Sequence, residues 1–135
     1  VIGTVVVTHG KIGEEMVRAA LSIIRESRPM VGVSLEQSED VDRMRRKIAE
    51  AIRQTDQGEG VLLLSDMFGG TPSNLCLSFL EEGRVEVVSG VNLPMLIKLA
   101  TLNELRPLAE IADFIKSYGQ KNIARAEEVL KREAS

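Results

Sequence analysis

Apolar positions in this chain fall into two alternating spacings. Val1-Ile2-Gly3-Thr4-Val5-Val6-Val7 is a largely β-branched run, the pattern of a strand buried on both faces of a parallel sheet. After His9-Gly10, the residues Ile12, Met16, Ala20, Ile23 and Ile24 recur at helical spacing. Met30 to Leu35 reads as a short second strand. Ser38-Glu39-Asp40 is a helix-start signal, and Val41, Met44, Ile48 and Ile52 line one face of the helix it opens. Gly58 and Gly60 break that helix ahead of Val61-Leu62-Leu63-Leu64-Ser65, a third buried strand. Thr71-Pro72 opens the next helix, with threonine as N-cap and proline at the first helical position. Arg84 to Ser89 gives a fourth strand. Two helical stretches follow, Leu93–Leu102 and Glu104–Arg132, the second broken near Gly119.

The alternation contains no internal repeat, low-complexity tract or long linker. It predicts one α/β domain over residues 1–135, a doubly wound, mostly parallel sheet with helices on both faces. A domain of this length buries enough surface to fold without a staple, and the chain has no parts for one. Cys76 is its only cysteine and His9 its only histidine, which excludes an internal disulfide, the usual Cys/His zinc site and a two-histidine mechanism. Seventeen basic against 20 acidic side chains give a net charge of −3, which argues against a broad nucleic-acid footprint. With one tyrosine, three phenylalanines and no tryptophan, a base-stacking platform is also unsupported. No apolar run reaches the ~20 residues of a membrane span, and no secretory signal is visible. The expectation is a cytoplasmic protein without direct membrane insertion. The start at Val1 rather than Met points to a few trimmed residues.

Open parallel sheets bind ligands beyond the carboxyl ends of their strands, where strand order switches. Three turns fall at that edge: Thr8-His9-Gly10, then Asp66-Met67-Phe68-Gly69-Gly70-Thr71-Pro72-Ser73-Asn74, then Gly90-Val91-Asn92-Leu93-Pro94. If the first and third strands are neighbours, His9 and Asp66 face each other across a narrow crevice. A carboxylate accepting from Nδ1–H fixes the neutral imidazole in one tautomer and leaves the Nε2 lone pair free. That is the base and orienter of a catalytic triad without its serine, a nucleophile in its own right. Gly69 and Gly70 allow close backbone approach, and the helix start beyond them directs N–H groups at the same spot. Thr71 adds a hydroxyl. A histidine nucleophile facing a dianion pocket reads as phosphoryl transfer through phosphohistidine, with no metal and no bound cofactor.

At these three motifs, in this order and over essentially the whole chain, the sequence resembles the IIA domain of the mannose-family phosphotransferase system. The resemblance implies that His9 takes a phosphoryl group on Nε2 from the histidine phosphocarrier protein and passes it to a IIB component that phosphorylates incoming sugar. It also implies that Asp66 is the partner of His9 and that the domain is a cytoplasmic homodimer; the chemistry of the turn itself leads us to expect Gly69, Gly70 and Thr71 to bind phosphoryl oxygens. Thr71 stands where the family often has serine and keeps the hydroxyl. Ser73 stands where an aromatic or small apolar residue is frequent, a departure that bears on partner docking. The end at Ser135, with no linker or IIB domain after it, implies a free-standing IIA component.

Three other functions are weighed against that one. A regulator could use the same phosphohistidine as a signal, without sugar transport. A histidine phosphatase or mutase needs acids or arginines that the first turn lacks. A flavin protein of similar fold needs phosphate-binding and stacking residues that are scarce here. Cys76, beside Leu75, Leu77 and Phe79, is expected to be buried, and Arg43, Arg45, Arg46 and Lys47 to form a solvated helix face rather than an anion or nucleic-acid patch. Met67 and Phe68 are candidates for either core or partner contact.

Overall fold

The computed structural model describes residues 1–134. Its elements run β1 (Gly3–His9), α1 (Ile12–Ile24), β2 (Met30–Leu35), α2 (Val41–Thr55), β3 (Val61–Ser65), α3 (Thr71–Leu77), β4 (Val85–Ser89), α4 (Leu93–Thr101), α5 (Leu108–Lys121) and α6 (Ala126–Ala134). All four strands pair in parallel, in the order β2-β1-β3-β4. The chain thus moves outward from β1 to β2, then returns to the other side of β1. Strand order switches between β1 and β3, the neighbours on which the crevice depends.

The continuous apolar runs are buried on both faces, as their composition requires. From β1, Val6 joins Leu62 and Leu64 of β3 in a core closed by Val17 and Ala20 of α1, Leu96 and Leu99 of α4, and Ile111 and Ile115 of α5. On the opposite face Val5 and Val7 join Leu63, closed by Met44 and Ile48 of α2 and by Leu75 and Cys76 of α3. Each fully buried aliphatic side chain contributes about 1.5–3 kcal/mol relative to exposure. Val5, Val6, Val7, Leu62, Leu63 and Leu64 all have zero exposure. The strands beneath the crevice are therefore its most firmly held part.

Local details depart from expectation at three helix boundaries. The stretch expected to be helical from Glu104 begins at Leu108, because Pro107 occupies the N-cap with extended backbone and disfavours helix at the residue before it. The break expected near Gly119 falls after Lys121 instead. Gly119 lies inside α5, where a Cβ would stand 2.5 Å from Met95 Sδ, so its glycine serves the close approach of α5 to α4. The N-cap of α3 is Gly70 rather than Thr71; Gly70 is extended (φ −101°, ψ 178°) and Thr71 is the first helical residue, with Pro72 after it. Asp40, by contrast, caps α2 as its sequence signal indicates, accepting from Arg43 N–H at 2.7 Å. No helix among the described residues is long and apolar enough to cross a membrane.

Candidate functional site at the β1–β3 switch point

β1 and β3 are in register from Gly3↔Val61 to Val7↔Ser65. His9 therefore stands two residues beyond the last paired rung and Asp66 one, side by side at the carboxyl edge. Asp66 Oδ2 lies 2.8 Å from His9 Nδ1 and also accepts the His9 backbone N–H at 3.0 Å. Its Oδ1 accepts the Met67 N–H at 3.1 Å. An ionised carboxylate only accepts, so in the neutral ring Nδ1 carries the proton and Nε2 keeps its lone pair. Partial burial pushes the Asp66 carboxyl up, but hydrogen bonds from the His9 ring and backbone outweigh it and hold the group below its ordinary value. The acid stays ionised and the tautomer stays fixed. The imidazole is 48% exposed and the Asp66 side chain only 16%: the carboxylate is sheltered and the ring is open.

Gly70 lies against the Cε1–Nε2 edge of the ring. A Cβ built there would stand 2.9 Å from His9 Cε1 and 3.2 Å from Nε2. Its backbone is one that any residue adopts, so glycine is needed at this position for space alone. Gly69 is the reverse case, with φ at +94° and open surroundings, needed for conformation. Replacement Gly70→Ala is expected to leave the melting temperature within a few degrees while lowering phosphoryl acceptance by at least ten-fold, since about 1.4 kcal/mol of crowding at the reacting atom suffices. Paired melting curves and phosphorylation time courses check this, and an unchanged acceptance rate would contradict it.

Thr71 is exposed and Pro72 buried. Both line a hollow of about 270 Å³ beside His9, whose other wall is the β2–α2 connection with Leu35, Glu36, Gln37 and Val41. That wall is pinned by Glu39. Its carboxylate accepts from Glu36 N–H at 2.9 Å, from Lys47 Nζ at 3.0 Å and from Arg43 Nε at 2.9 Å. These bonds, the Glu36 N–H foremost and Lys47 next, lower its pKa from 4.5 to about 2. A depressed folded-state value means the stabilisation is complete above about pH 4.5 and is lost as pH falls toward 2. The Glu39 side-chain carbon should accordingly titrate near 2 by NMR; a midpoint near 4.5 would show the wall to be unpinned in solution.

Several supporting residues carry no sequence signal strong enough to single them out. Thr8 is fully buried; its Oγ1 accepts Gly13 N–H at 2.8 Å and donates to Gly10 C=O at 3.1 Å, tying the His9 turn to α1. Ser65, Ser73 and Ser89 form a hydroxyl cluster beneath the Asp66 turn, with Ser65–Ser89 at 2.8 Å and Ser73–Ser89 at 3.4 Å. Ser73 has zero exposure, which corrects the docking role read from its departure: it supports the turn from below. Phe68 and Met67 are exposed, Phe68 at 75%, so neither is core. Cys76 is buried, and burial, with the Asp66 charge, pushes its thiol up to about 12.

A family model described as the PTS system fructose IIA component matches residues 3–116. The chain belongs to that family. Among IIA relatives, the fructose-specific EIIA component of the Bacillus subtilis phosphotransferase system is 27% identical over 132 residues, 97% of this chain and 90% of the relative. The mannose-specific EIIAB component of Escherichia coli K12 is 29% identical over 98 residues, 72% of this chain but only 30% of that longer protein. The same fold is seen in the mannose/sorbose specific IIA subunit from Enterococcus faecalis, with TM-score 0.82, 24% identity and coverage of 92% and 93% of the two chains. It recurs in an EIIA component from Streptococcus agalactiae, with TM-score 0.83, 19% identity and coverage of 95% and 99%. Fold and family thus agree with the resemblance carried by the three turns.

Proposed function

We propose that this protein is a phosphohistidine carrier of a sugar phosphotransferase system, with His9 as the nucleophile. The observation that carries this reading is the His9 Nδ1–Asp66 Oδ2 hydrogen bond at 2.8 Å, which leaves Nε2 with a lone pair at an open edge. In the first transfer, Nε2 forms a bond to phosphorus while the donor's N–P bond breaks and its electron pair returns to the donor ring. The donor is the histidine phosphocarrier protein. As Nε2 bonds to phosphorus the ring gains positive charge, which the Asp66 carboxylate stabilises through Nδ1–H. The phosphoryl oxygens are held by the backbone of Gly69 and Gly70 and by Thr71, whose helix sets its first intrahelical bond only at Asn74 N–H to Gly70 C=O. A IIB component then takes the group by the reverse displacement. Both partners are proteins, which suits an exposed ring beside exposed Met67 and Phe68. Residues 1–135 make up one such domain, working as a cytoplasmic homodimer.

The test is intact mass after incubation with phosphoenolpyruvate, the general phosphotransferase enzyme and the histidine phosphocarrier. One acid-labile phosphate per chain is expected, discharged rapidly on adding a IIB component. A folded protein that takes up no phosphate would overturn the proposal; one that loads but does not discharge would assign it a signalling role.

A further inference from the structure

Along the free edge of β2 runs a groove of about 400 Å³ that the His9 site does not use. Its floor is Val31–Ser34; one rim is Glu14 of α1, and the other is α2 with Arg43, Arg46, Lys47 and Glu50. β2 pairs with β1 alone among the described strands. In a parallel ladder alternate residues turn both backbone groups to the neighbour. The Pro29 and Leu35 carbonyls accept from Thr4 and Gly10 of the β1 segment, so the odd-numbered residues face β1. Gly32 and Ser34 therefore turn their N–H groups outward, into the groove.

A cation meets the groove at the same rung. Lys47 Nζ donates to the Ser34 carbonyl, which puts a cation beside the Ser34 N–H. Ser34 lines the groove, while its side chain falls with Gly32 on the α1 face of β2, opposite Val33 and Leu35. The charges differ in availability. Arg43 and Lys47 share Glu39, and Arg45 pairs with Asp42. Arg46 makes no ion pair among the described residues and stands at the groove's mouth. Added strands need a carbonyl row as well as an N–H row, and the Lys47 head covers the Ser34 carbonyl, which favours an anion over a peptide.

We infer that this groove is a second site, for a small hydroxylated anion whose phosphate or carboxylate head is held by the Gly32 and Ser34 N–H groups, Lys47 and Arg46. Glu14, Glu50 and Gln54 on the rims accept hydroxyls of its body. The volume suits a small metabolite. This assignment is independent of what His9 does.

The experiment is an amide NMR titration of the full chain with glucose 6-phosphate, citrate, inorganic phosphate and, as a neutral control, glucose. Saturable shifts at Gly32 and Ser34, with a Kd of about 1 mM or tighter, are expected for at least one anion and not for glucose. Response to the sugar phosphate rather than citrate assigns a phosphate head, and the reverse a carboxylate head. Arg46→Gln, on an exposed helix position, should fold normally and weaken binding about ten-fold. Shifts confined to Gly69–Thr71, no saturable shift with any anion, or Arg46→Gln binding like wild type would each overturn the inference. Saturable binding only to an extended acidic peptide, chosen as a strand-addition control, would do the same.

Discussion

A His9→Ala protein is expected to melt within a few degrees of the parent and to accept no phosphate. The chemical half of the expectation is absolute because the chain has one histidine, so no second imidazole can take over. The stability half follows from where the ring sits. It is half exposed and makes one side-chain hydrogen bond, to Asp66, worth about 0.5–1.5 kcal/mol net. Beneath it the seven fully buried aliphatics of β1 and β3 each contribute more than that. Intact mass and a melting curve on the same sample read both halves. Phosphate on the alanine variant would move the acceptor elsewhere, and a collapse in melting temperature would make His9 structural.

Asp66→Asn should fold and still load, but about 10²–10⁴-fold more slowly. Oδ2 of Asp66 takes both the His9 N–H and the ring Nδ1–H. An amide fills the same space without the charge that stabilises the imidazolium, and in one flip it donates to Nδ1 and moves the ring proton to Nε2. That tautomer has no lone pair at the reacting atom. Single-turnover kinetics at several pH values separate this from a folding defect, because the loss should appear in the transfer step rather than in affinity for the donor. A rate equal to wild type would leave Asp66 as a turn-forming residue only.

The sequence made the strands, their parallel sense and the His9–Asp66 pair legible for a shared reason. β1 and β3 are apolar runs that fit only a doubly covered sheet, and a switch point between them puts residues 9 and 66 together. What stayed hidden depends on contacts between distant segments. Gly119 reads as a helix break until Met95, 24 positions earlier, is found against it. Thr71 reads as a cap until Gly70 takes the extended position before it. Ser73 reads as surface until Ser89 of β4 is found beside it. The Glu36–Gln37 wall beside His9 has no local signature at all, since it is placed by Glu39 and its two cations.

His9 and Asp66 extend from the two central strands rather than from edges or long loops. Native-state hydrogen exchange of the β1 and β3 amides should therefore report the slowest openings in the molecule, those requiring the whole domain to unfold. Partial openings that fray α6 or lift β2 leave the pair intact. On a heating ramp, loss of phosphoryl acceptance should coincide with the loss of helical circular dichroism. Ligand-binding loops and lids are commonly drawn from the labile end of the stability range; this pair would be among the last features to go.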